Sequence, residues 1–198
     1  MRSGRSSSDG LSGGGKMKSG SAWKAIACAF WSASPVMGAD RCLEAFWSQE
    51  LVAPPSIVAA IVAVESNGNP MALNIEGRTI SARSWREAAD VVEQAVAAGR
   101  CVDIGCMQVN TCYHSHRVQN PVDLLDPATN VRAGVAFLTE LRSAKGNWVA
   151  AAGAYHSSTP SLNAIYRCRL ATAIDPTYRN PGCIELLARN GGPWHAPS

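Results

Sequence analysis

The chain has 198 residues, of which 46% are hydrophobic and 17% are charged, enough apolar material for about one folded domain. Its formal net charge is +3, but residues 1–39 hold five of the 18 basic and one of the 15 acidic side chains. The remainder has 13 basic and 14 acidic side chains, a net charge of −1. This balance argues against a nucleic-acid partner or an anionic membrane surface.

The N-terminal segment has the features of a secretory signal. Basic side chains precede a short apolar run at residues 25–31, and small residues follow it. We expect residues 1–39 to be a signal peptide, with a disordered Ser/Gly-rich leader in residues 1–22 and cleavage before Asp40. Met17 is an alternative start, because the segment from there to residue 39 has ordinary signal-peptide proportions. The apolar run is too short to span a bilayer.

Seven cysteines are present, and Cys28 lies inside the predicted signal. Residues 25–28 distantly resemble a lipoprotein cleavage box, so lipidation is an alternative. The other six are an even number in an exported chain, which predicts up to three disulfides among Cys42, Cys101, Cys106, Cys112, Cys168 and Cys183. Fifteen pairings are possible. Three of the six bracket residues 105–110, so at least one bond should tie that segment to another element. Their spacing matches no zinc module, and we expect no metal and no cofactor.

Hydrophobic spacing and capping residues predict a mainly helical domain over residues 40–175. Predicted helices start near residues 42, 55, 85, 127, 148 and 161, at prolines or after the capping residues Ser84, Asp126 and Asn147. The last of these helices should turn Leu162, Ile165 and Tyr166 inward.

Three further segments are not predicted as helix. Residues 71–82 alternate weakly around Glu76-Gly77, which predicts a small β-hairpin. Residues 102–110 contain too many glycine and polar residues for a regular helix, and we interpret them as an extended loop that lines a site. Residues 176–198 should form an irregular C-terminal tail.

One carboxylate, Glu65, ends an almost wholly apolar helix. At helical spacing it follows Val58 and Val62 on one face, so a packed helix would carry it toward the interior. Burial raises the pKa of a carboxyl group, which makes a general acid usable near neutral pH. Position alone leaves two alternatives, a glutamate paired with an arginine or one solvated at a helix end.

Three segments, in this order, resemble the lytic transglycosylase family related to the soluble murein transglycosylases and goose-type lysozyme. V-E-S-N-G-N-P at residues 64–70 matches E-S-x-x-N-P, and G-C-M-Q-V-N at residues 105–110 matches G-x-M-Q-[IV]-N. A-G-A-Y-H-S at residues 152–157 matches the A-x-Y-N region. The resemblance covers roughly residues 42–172 and is nearest to the exported, secretion- or flagellum-associated branch. It implies a single lysozyme-like domain, mainly α with a small β-hairpin insertion.

The resemblance also implies a periplasmic lytic transglycosylase that acts on peptidoglycan glycan strands. Glu65 would protonate the oxygen between N-acetylmuramic acid and N-acetylglucosamine and then act as base on the muramoyl C6 hydroxyl. That hydroxyl attacks C1 and gives a 1,6-anhydro product, so one acid/base is sufficient. A muramidase on the same site is an alternative that would need a second carboxylate, for which Asp103 is the nearest candidate, or a positioned water. A non-catalytic glycan-binding assembly protein is the other alternative.

Matching positions in the motifs imply the substrate-binding residues. Gln108 and Asn110, with Met107 packing beneath them, would contact the sugar, because amides both donate and accept hydrogen bonds. A capped turn is the structural alternative for this segment. Ser66 would help to place the glutamate or the substrate, although a helix-end serine can equally bond locally.

The third motif implies two further site residues. Tyr155 would hydrogen-bond the catalytic carboxylate and orient it, with core packing as the alternative. His156 stands where most of the wider family has asparagine, so a titratable group replaces an amide. If it lines the cleft, it would bind substrate or modulate Glu65; otherwise it is a helix-end histidine.

Glu65 and Gln108 are 43 positions apart, and we expect residues 71–99 between them to form one wall of the glycan groove. Besides glycan strands, the expected partner is an envelope-spanning secretion, conjugation or flagellar apparatus. The sequence does not choose among these, nor between cleavage at chain ends and within strands.

Overall fold

A computed structural model describes residues 39–192 as α-helices and 3-10 helices around a small antiparallel sheet. The α-helices are α1 Ala39–Trp47, α2 Pro55–Ser66, α3 Trp85–Ala97, α4 Thr111–His114, α5 Pro127–Lys145, α6 Trp148–His156, α7 Pro160–Ile174 and α8 Pro181–Arg189. The 3-10 helices are Ser115–Arg117 and Pro121–Leu125. The strands are β1 Leu73–Ile75, β2 Arg78–Ile80, β3 Val102–Ile104 and β4 Val109–Asn110. This confirms the mainly α fold class. The predicted signal peptide and its cleavage box lie outside the described residues, apart from Ala39.

Local signals place the helix that carries Glu65. Pro55 occupies its first turn, where a missing N–H costs nothing. At the other end Asn67 takes the left-handed conformation, with a φ of 51°, and its N–H donates to Ala63 O. The next N–H, of Gly68, donates to Val62 O. The helix therefore stops one residue after Glu65, with the carboxylate in its last turn.

The other predicted caps are also present. The Oγ of Ser84, and the side-chain oxygens of Asp126 and Asn147, each accept from the backbone N–H three residues on. Ser84 and Glu87 do not form a complete capping box, because the Glu87 carboxylate accepts from Arg83 N rather than from Ser84 N.

The sheet has the strand order β2-β1-β3-β4. The predicted hairpin is confirmed, and its turn residues Glu76 and Gly77 have φ values of 52° and 84°, as a type I′ turn requires. The interpretation of residues 102–110 as an extended loop is wrong, since β3 and β4 lie within it. Two strands of three and two residues are too short to give a periodic signal. They form because β3 pairs with the free edge of β1 and β4 pairs with β3.

A buried asparagine holds the turn between β3 and β4. Asn130 on α5 donates to Ile104 O at 2.7 Å and to Leu124 O at 2.8 Å, and it accepts from Met107 N at 2.9 Å. Gly105, with a φ of 76°, leaves room for this amide, because a Cβ there would lie 2.5 Å from Asn130 Nδ2. The turn is thus fixed to the α5 scaffold.

All six described cysteines form disulfides, namely Cys42–Cys106, Cys101–Cys112 and Cys168–Cys183. The first joins α1 to the turn at residues 105–108, which confirms that this segment is tied to another element. The second spans the ends of the β3–β4 unit. The third joins α7 to α8.

Two predictions about the C-terminal part are wrong. Residues 176–198 are not irregular throughout, because α8 occupies Pro181–Arg189, capped by Asn180 and held by a disulfide. Residues 193–198 lie outside the described part. Leu162 does not face the core and is 45% exposed, whereas Tyr166, one turn further, is buried. The prediction was wrong because α7 has too few apolar residues to show which of its faces is buried. No described helix is both long and apolar enough to cross a membrane.

Candidate active site

The site is a cleft of about 870 Å³ between the sheet and the ends of α2 and α6. Its lining residues come from four parts of the chain: Glu65 from α2; Asn74 and Gly77 from the hairpin; Asp103, Gln108, Val109, Asn110, Tyr113 and His114 from the β3–α4 region; and Phe137, Ala154, Tyr155, His156, Ser157 and Ser158 from α5 and α6. The structure thus brings most of the predicted site residues together. Ser66 and Met107 do not line it.

Glu65 is the buried carboxylate of the cleft, and its side chain is only 15% exposed. Burial is the main cause that raises its pKa from 4.5 to about 7, and the nearby Asp103 charge raises it further. Tyr166 and Arg169 act in the opposite direction. A carboxyl group with this pKa is protonated in a large fraction of molecules at neutral pH, as a general acid must be.

Tyr155 does not make the predicted hydrogen bond to Glu65. Its hydroxyl donates to Met107 O at 2.9 Å and so joins α6 to the turn before β4. The aromatic residue that interacts with Glu65 through its hydroxyl is Tyr166 on α7, which lowers the pKa of the carboxyl group. That hydroxyl has no partner at good hydrogen-bond geometry among the described residues. The interaction of Tyr166 with Glu65 was not predicted, because the sequence indicates only that Tyr166 faces inward.

His156 lines the cleft. Its imidazole stacks on the Tyr166 ring, with centroids 4.8 Å apart and planes 11° from parallel. Its Nδ1 is 4.0 Å from Glu65 Oε1. Burial and the Arg169 charge lower the pKa of His156, so the imidazole is neutral near pH 7.

The segment at residues 105–110 divides into buried and exposed parts. Met107 is fully buried and packs against Gly134, where a Cβ would lie 2.6 Å from its Sδ. Its side chain therefore supports the turn and cannot contact a sugar, so its assignment as a substrate-binding residue is wrong. Ser66 is also structural in this geometry, because its Oγ is 2.8 Å from Cys106 O and accepts from Gly68 N.

The two amides of this segment face the cleft with part of their hydrogen-bonding capacity used. Gln108 has a φ of 47°, and its Nε2 donates to Ala72 O and Gly105 O, each at 3.1 Å. The amide oxygen is then the group that can accept from a substrate. Asn110 donates to Asp103 Oδ1 at 2.7 Å and caps α4 through Cys112 N. The capped turn considered as an alternative is present, and both residues also line the cleft.

An aromatic wall closes one side of the cleft. The rings of Phe137 and His114 have centroids 4.2 Å apart, and those of Phe137 and Tyr155 are 5.3 Å apart. Tyr113 extends this wall and is 74% exposed. Exposed aromatic faces next to amide groups are suited to sugar rings, which have apolar faces and hydroxyl edges. No periodic signal in the sequence indicated Tyr113, His114 or Phe137.

Two other features of the described residues bear on the chemistry. No group of three or more His, Cys, Asp or Glu side chains among residues 39–192 could hold a metal ion.

A separate groove of about 410 Å³ lies between α2, α6, α7 and α8 and is lined mostly by apolar side chains such as Val149 and Ile174. No carboxylate lines that groove, so the Glu65 cleft is the candidate active site.

Comparison with known proteins agrees with this geometry. The family model described as the transglycosylase SLT domain matches residues 43–167, more than half of the chain. Protein virB1 of Agrobacterium fabrum (strain C58) is 34% identical over 95 residues, which make up 47% of this chain and 38% of that protein. The chain therefore spans well under half the length of this relative. No solved structure matches the chain. Because this family model covers residues 43–167, the chain belongs to the transglycosylase SLT domain family.

Proposed function

We propose that the chain is a peptidoglycan lytic transglycosylase, which cleaves the β-1,4 bond between N-acetylmuramic acid and N-acetylglucosamine and forms 1,6-anhydro-N-acetylmuramic acid. The observation that carries this proposal is the Glu65 carboxyl group, buried at the edge of a cleft lined by amide and aromatic side chains, with a pKa of about 7. Membership of the SLT family supports the substrate class.

The cleavage needs one group that is first an acid and then a base. Protonated Glu65 donates to the glycosidic oxygen as the bond from C1 to that oxygen breaks. The muramoyl C6 oxygen then bonds to C1, and its proton passes to the Glu65 carboxylate. No water is consumed, and Glu65 ends in its starting protonation state. A pKa near 7 suits both halves of this cycle, since neither form of the carboxyl group is strongly disfavoured.

The other cleft residues bind and position. We assign Gln108 Oε1 and the exposed face of Tyr113 to contacts with the sugar. Tyr155 is a positioning residue, since its hydroxyl fixes the Met107 carbonyl beneath the turn. His156 is assigned to the side of the cleft next to Glu65, where it contributes a neutral imidazole edge.

We also propose that residues 1–39 direct export to the periplasm and that residues 40–175 are the catalytic domain. Three disulfides within the described chain support an oxidising compartment. Local cutting of glycan strands would open a passage for an envelope-spanning secretion, conjugation or flagellar apparatus, which we propose as the partner. Cell fractionation tests the location, and retention of the full-length chain in the cytoplasm would contradict it.

Product analysis tests the activity. We expect digestion of purified sacculi to release muropeptides with anhydro ends, each lighter by one water than the reducing end that a muramidase releases. Glu65→Gln should abolish release while keeping the fold. Glu93→Gln, at an exposed position on α3, is the matched control and should release products at the wild-type rate.

The outcomes separate the alternatives. Reducing ends in place of anhydro ends would identify a muramidase on the same site. Wild-type release by Glu65→Gln would remove Glu65 from catalysis. Binding of glycan strands by the wild type without any cleavage would support a non-catalytic glycan-binding protein.

A further inference from the structure

Three polar side chains form a row across the sheet on its cleft side. Asp103 on β3 is the register partner of Asn74 on β1 and of Asn110 on β4, and all three line the cleft. The adjacent pair, Leu73 and Ile104, is buried, because successive side chains of a strand point to opposite faces. Pleating therefore fixes Asp103 on the side of the sheet that faces the same cleft as Glu65.

Asp103 is partly buried, and its immediate neighbours in the row are neutral. Asn110 Nδ2 donates to its Oδ1 at 2.7 Å. Among residues 39–192, no lysine or arginine nitrogen lies within ion-pairing distance of it. Burial raises the pKa of Asp103, while the Asn110 bond and the neighbouring His156 lower it. A partly buried carboxylate without a cationic partner costs folding free energy. Groups with such a cost are concentrated at functional sites.

We propose that Asp103 is a second catalytic carboxylate, which stabilises the positive charge that develops at C1 of the muramic acid while Glu65 protonates the leaving oxygen. The inference rests on the proposed function, because it places Asp103 in the same cleavage. A fixed negative charge in a partly desolvated cleft acts strongly on a nearby developing cation, and it needs no rearrangement during the reaction.

The step balances without a new bond to the protein. Glu65 transfers its proton as the glycosidic bond breaks, and it receives the C6 hydroxyl proton as the bond from O6 to C1 forms. Asp103 stays ionised throughout and exchanges no proton. The N–H of Asn110 holds one of its oxygens, so the other is free to face the sugar ring.

A structural role is the rival explanation, because the bond from Asn110 to Asp103 also joins β3 to β4. Two substitutions separate the roles. In Asp103→Asn the amide oxygen can still accept from Asn110 Nδ2, so that variant loses only the negative charge. Asp103→Ala loses both the charge and the acceptor. Asp90→Asn, at an exposed position on α3, removes the same charge outside the cleft and is the matched control.

The test measures kcat and KM of the complete, disulfide-bonded protein on uncrosslinked peptidoglycan glycan strands. We expect Asp103→Asn and Asp103→Ala each to lower kcat by about 10²-fold or more with little change in KM, because the lost interaction belongs to the transition state. Asp90→Asn should match the wild type. Equal thermal midpoints for Asp103→Asn and the wild type would show that the loss is not unfolding.

The pH profile gives a second readout, which reports the effect of the Asp103 charge on Glu65. Glu65 is flanked by Asp103 on β3, Tyr155 and His156 on α6, and Tyr166 and Arg169 on α7. Removing the one like charge in that set lowers the pKa of Glu65. The decline of kcat/KM at high pH should therefore begin at a lower pH in Asp103→Asn than in the wild type.

The results distinguish this inference from the proposed function. Anhydro products from the wild type, together with wild-type kcat in Asp103→Asn, would overturn the role of Asp103 alone. A low kcat in Asp103→Ala but not in Asp103→Asn would assign Asp103 to the structure of the sheet and overturn its catalytic role. Reducing ends from the wild type would overturn the transglycosylase function, whereas the kcat of Asp103→Asn would still decide the inference.

Discussion

The imidazole Nδ1 of His156 lies 4.0 Å from Glu65 Oε1, and the two groups do not form an ion pair at neutral pH. Burial lowers the pKa of His156 and raises that of Glu65 to about 7, so both groups favour their neutral forms. The stack on Tyr166 holds the imidazole in this position. A neutral imidazole therefore lies beside a carboxyl group whose pKa is close to neutral pH.

Substitution of His156 should affect activity at acid pH more than at neutral pH. Once protonated, His156 places a positive charge next to Glu65 and favours the ionised form of the carboxyl group. His156→Asn removes that charge and keeps a polar side chain. The ratio of kcat/KM in the variant to that in the wild type should therefore be higher at about pH 5 than at about pH 7. A ratio that is constant across this range would contradict the electrostatic role.

The pH profile of the wild type should fall on its alkaline side as Glu65 ionises, near pH 7. Tyr166→Phe removes the hydroxyl that lowers the pKa of Glu65, so the fall should move to higher pH. Its stability should change little, because the hydroxyl is buried without a partner of good geometry in the described chain. Tyr178→Phe, in the separate apolar groove, is the control and should leave the profile unchanged. A shift to lower pH in Tyr166→Phe would be the opposite of this expectation.

The stability of the protein should depend on pH through Glu65. Its folded-state pKa of about 7 exceeds the ordinary value of 4.5, so the folded state binds the proton more tightly than the unfolded state. Stability from this group is complete below pH 4.5 and is lost as the pH rises through 7, by about 3 kcal/mol in total. Glu65→Gln should therefore raise the free energy of unfolding at about pH 8 and change it little at about pH 4. Urea unfolding at the two pH values measures this, and an equal effect at both would contradict the burial of the charge.

Asn130 should contribute more to stability than any exposed cap. It is completely buried and makes three hydrogen bonds, to Ile104 O, Leu124 O and Met107 N. Asn130→Ala should cost on the order of 3 kcal/mol, since the partners are left unsatisfied in the interior. Asn180→Ala, which removes only the cap of α8, should cost about 1 kcal/mol. Denaturation of the oxidised proteins compares the two, and equal costs would argue against the anchoring role of Asn130.

The parts of the structure that were predicted depend on short-range contacts. Pro55, Ser84, Asp126 and Asn147 each start a helix through bonds within one turn, and Glu76-Gly77 closes its hairpin through two residues with positive φ. Such signals are complete within a few positions of the chain. The strands β3 and β4 were missed because a strand of two or three residues is stable only beside a neighbour: β4 pairs with β3, and β3 pairs with β1, about 30 positions away in the sequence.

The sequence by itself determined the family, the helix end that carries Glu65, and the presence of enough cysteines for three disulfides. Tertiary structure alone decided which groups surround that carboxylate. It placed the Tyr166 hydroxyl rather than the Tyr155 hydroxyl next to Glu65, buried Met107 under the turn, and aligned Asp103 with two asparagines on the cleft face of the sheet. The physical reason is that the acidity of a carboxyl group depends on its burial and on charges brought near it by packing. Those neighbours lie between 38 and 104 positions away from Glu65 along the chain.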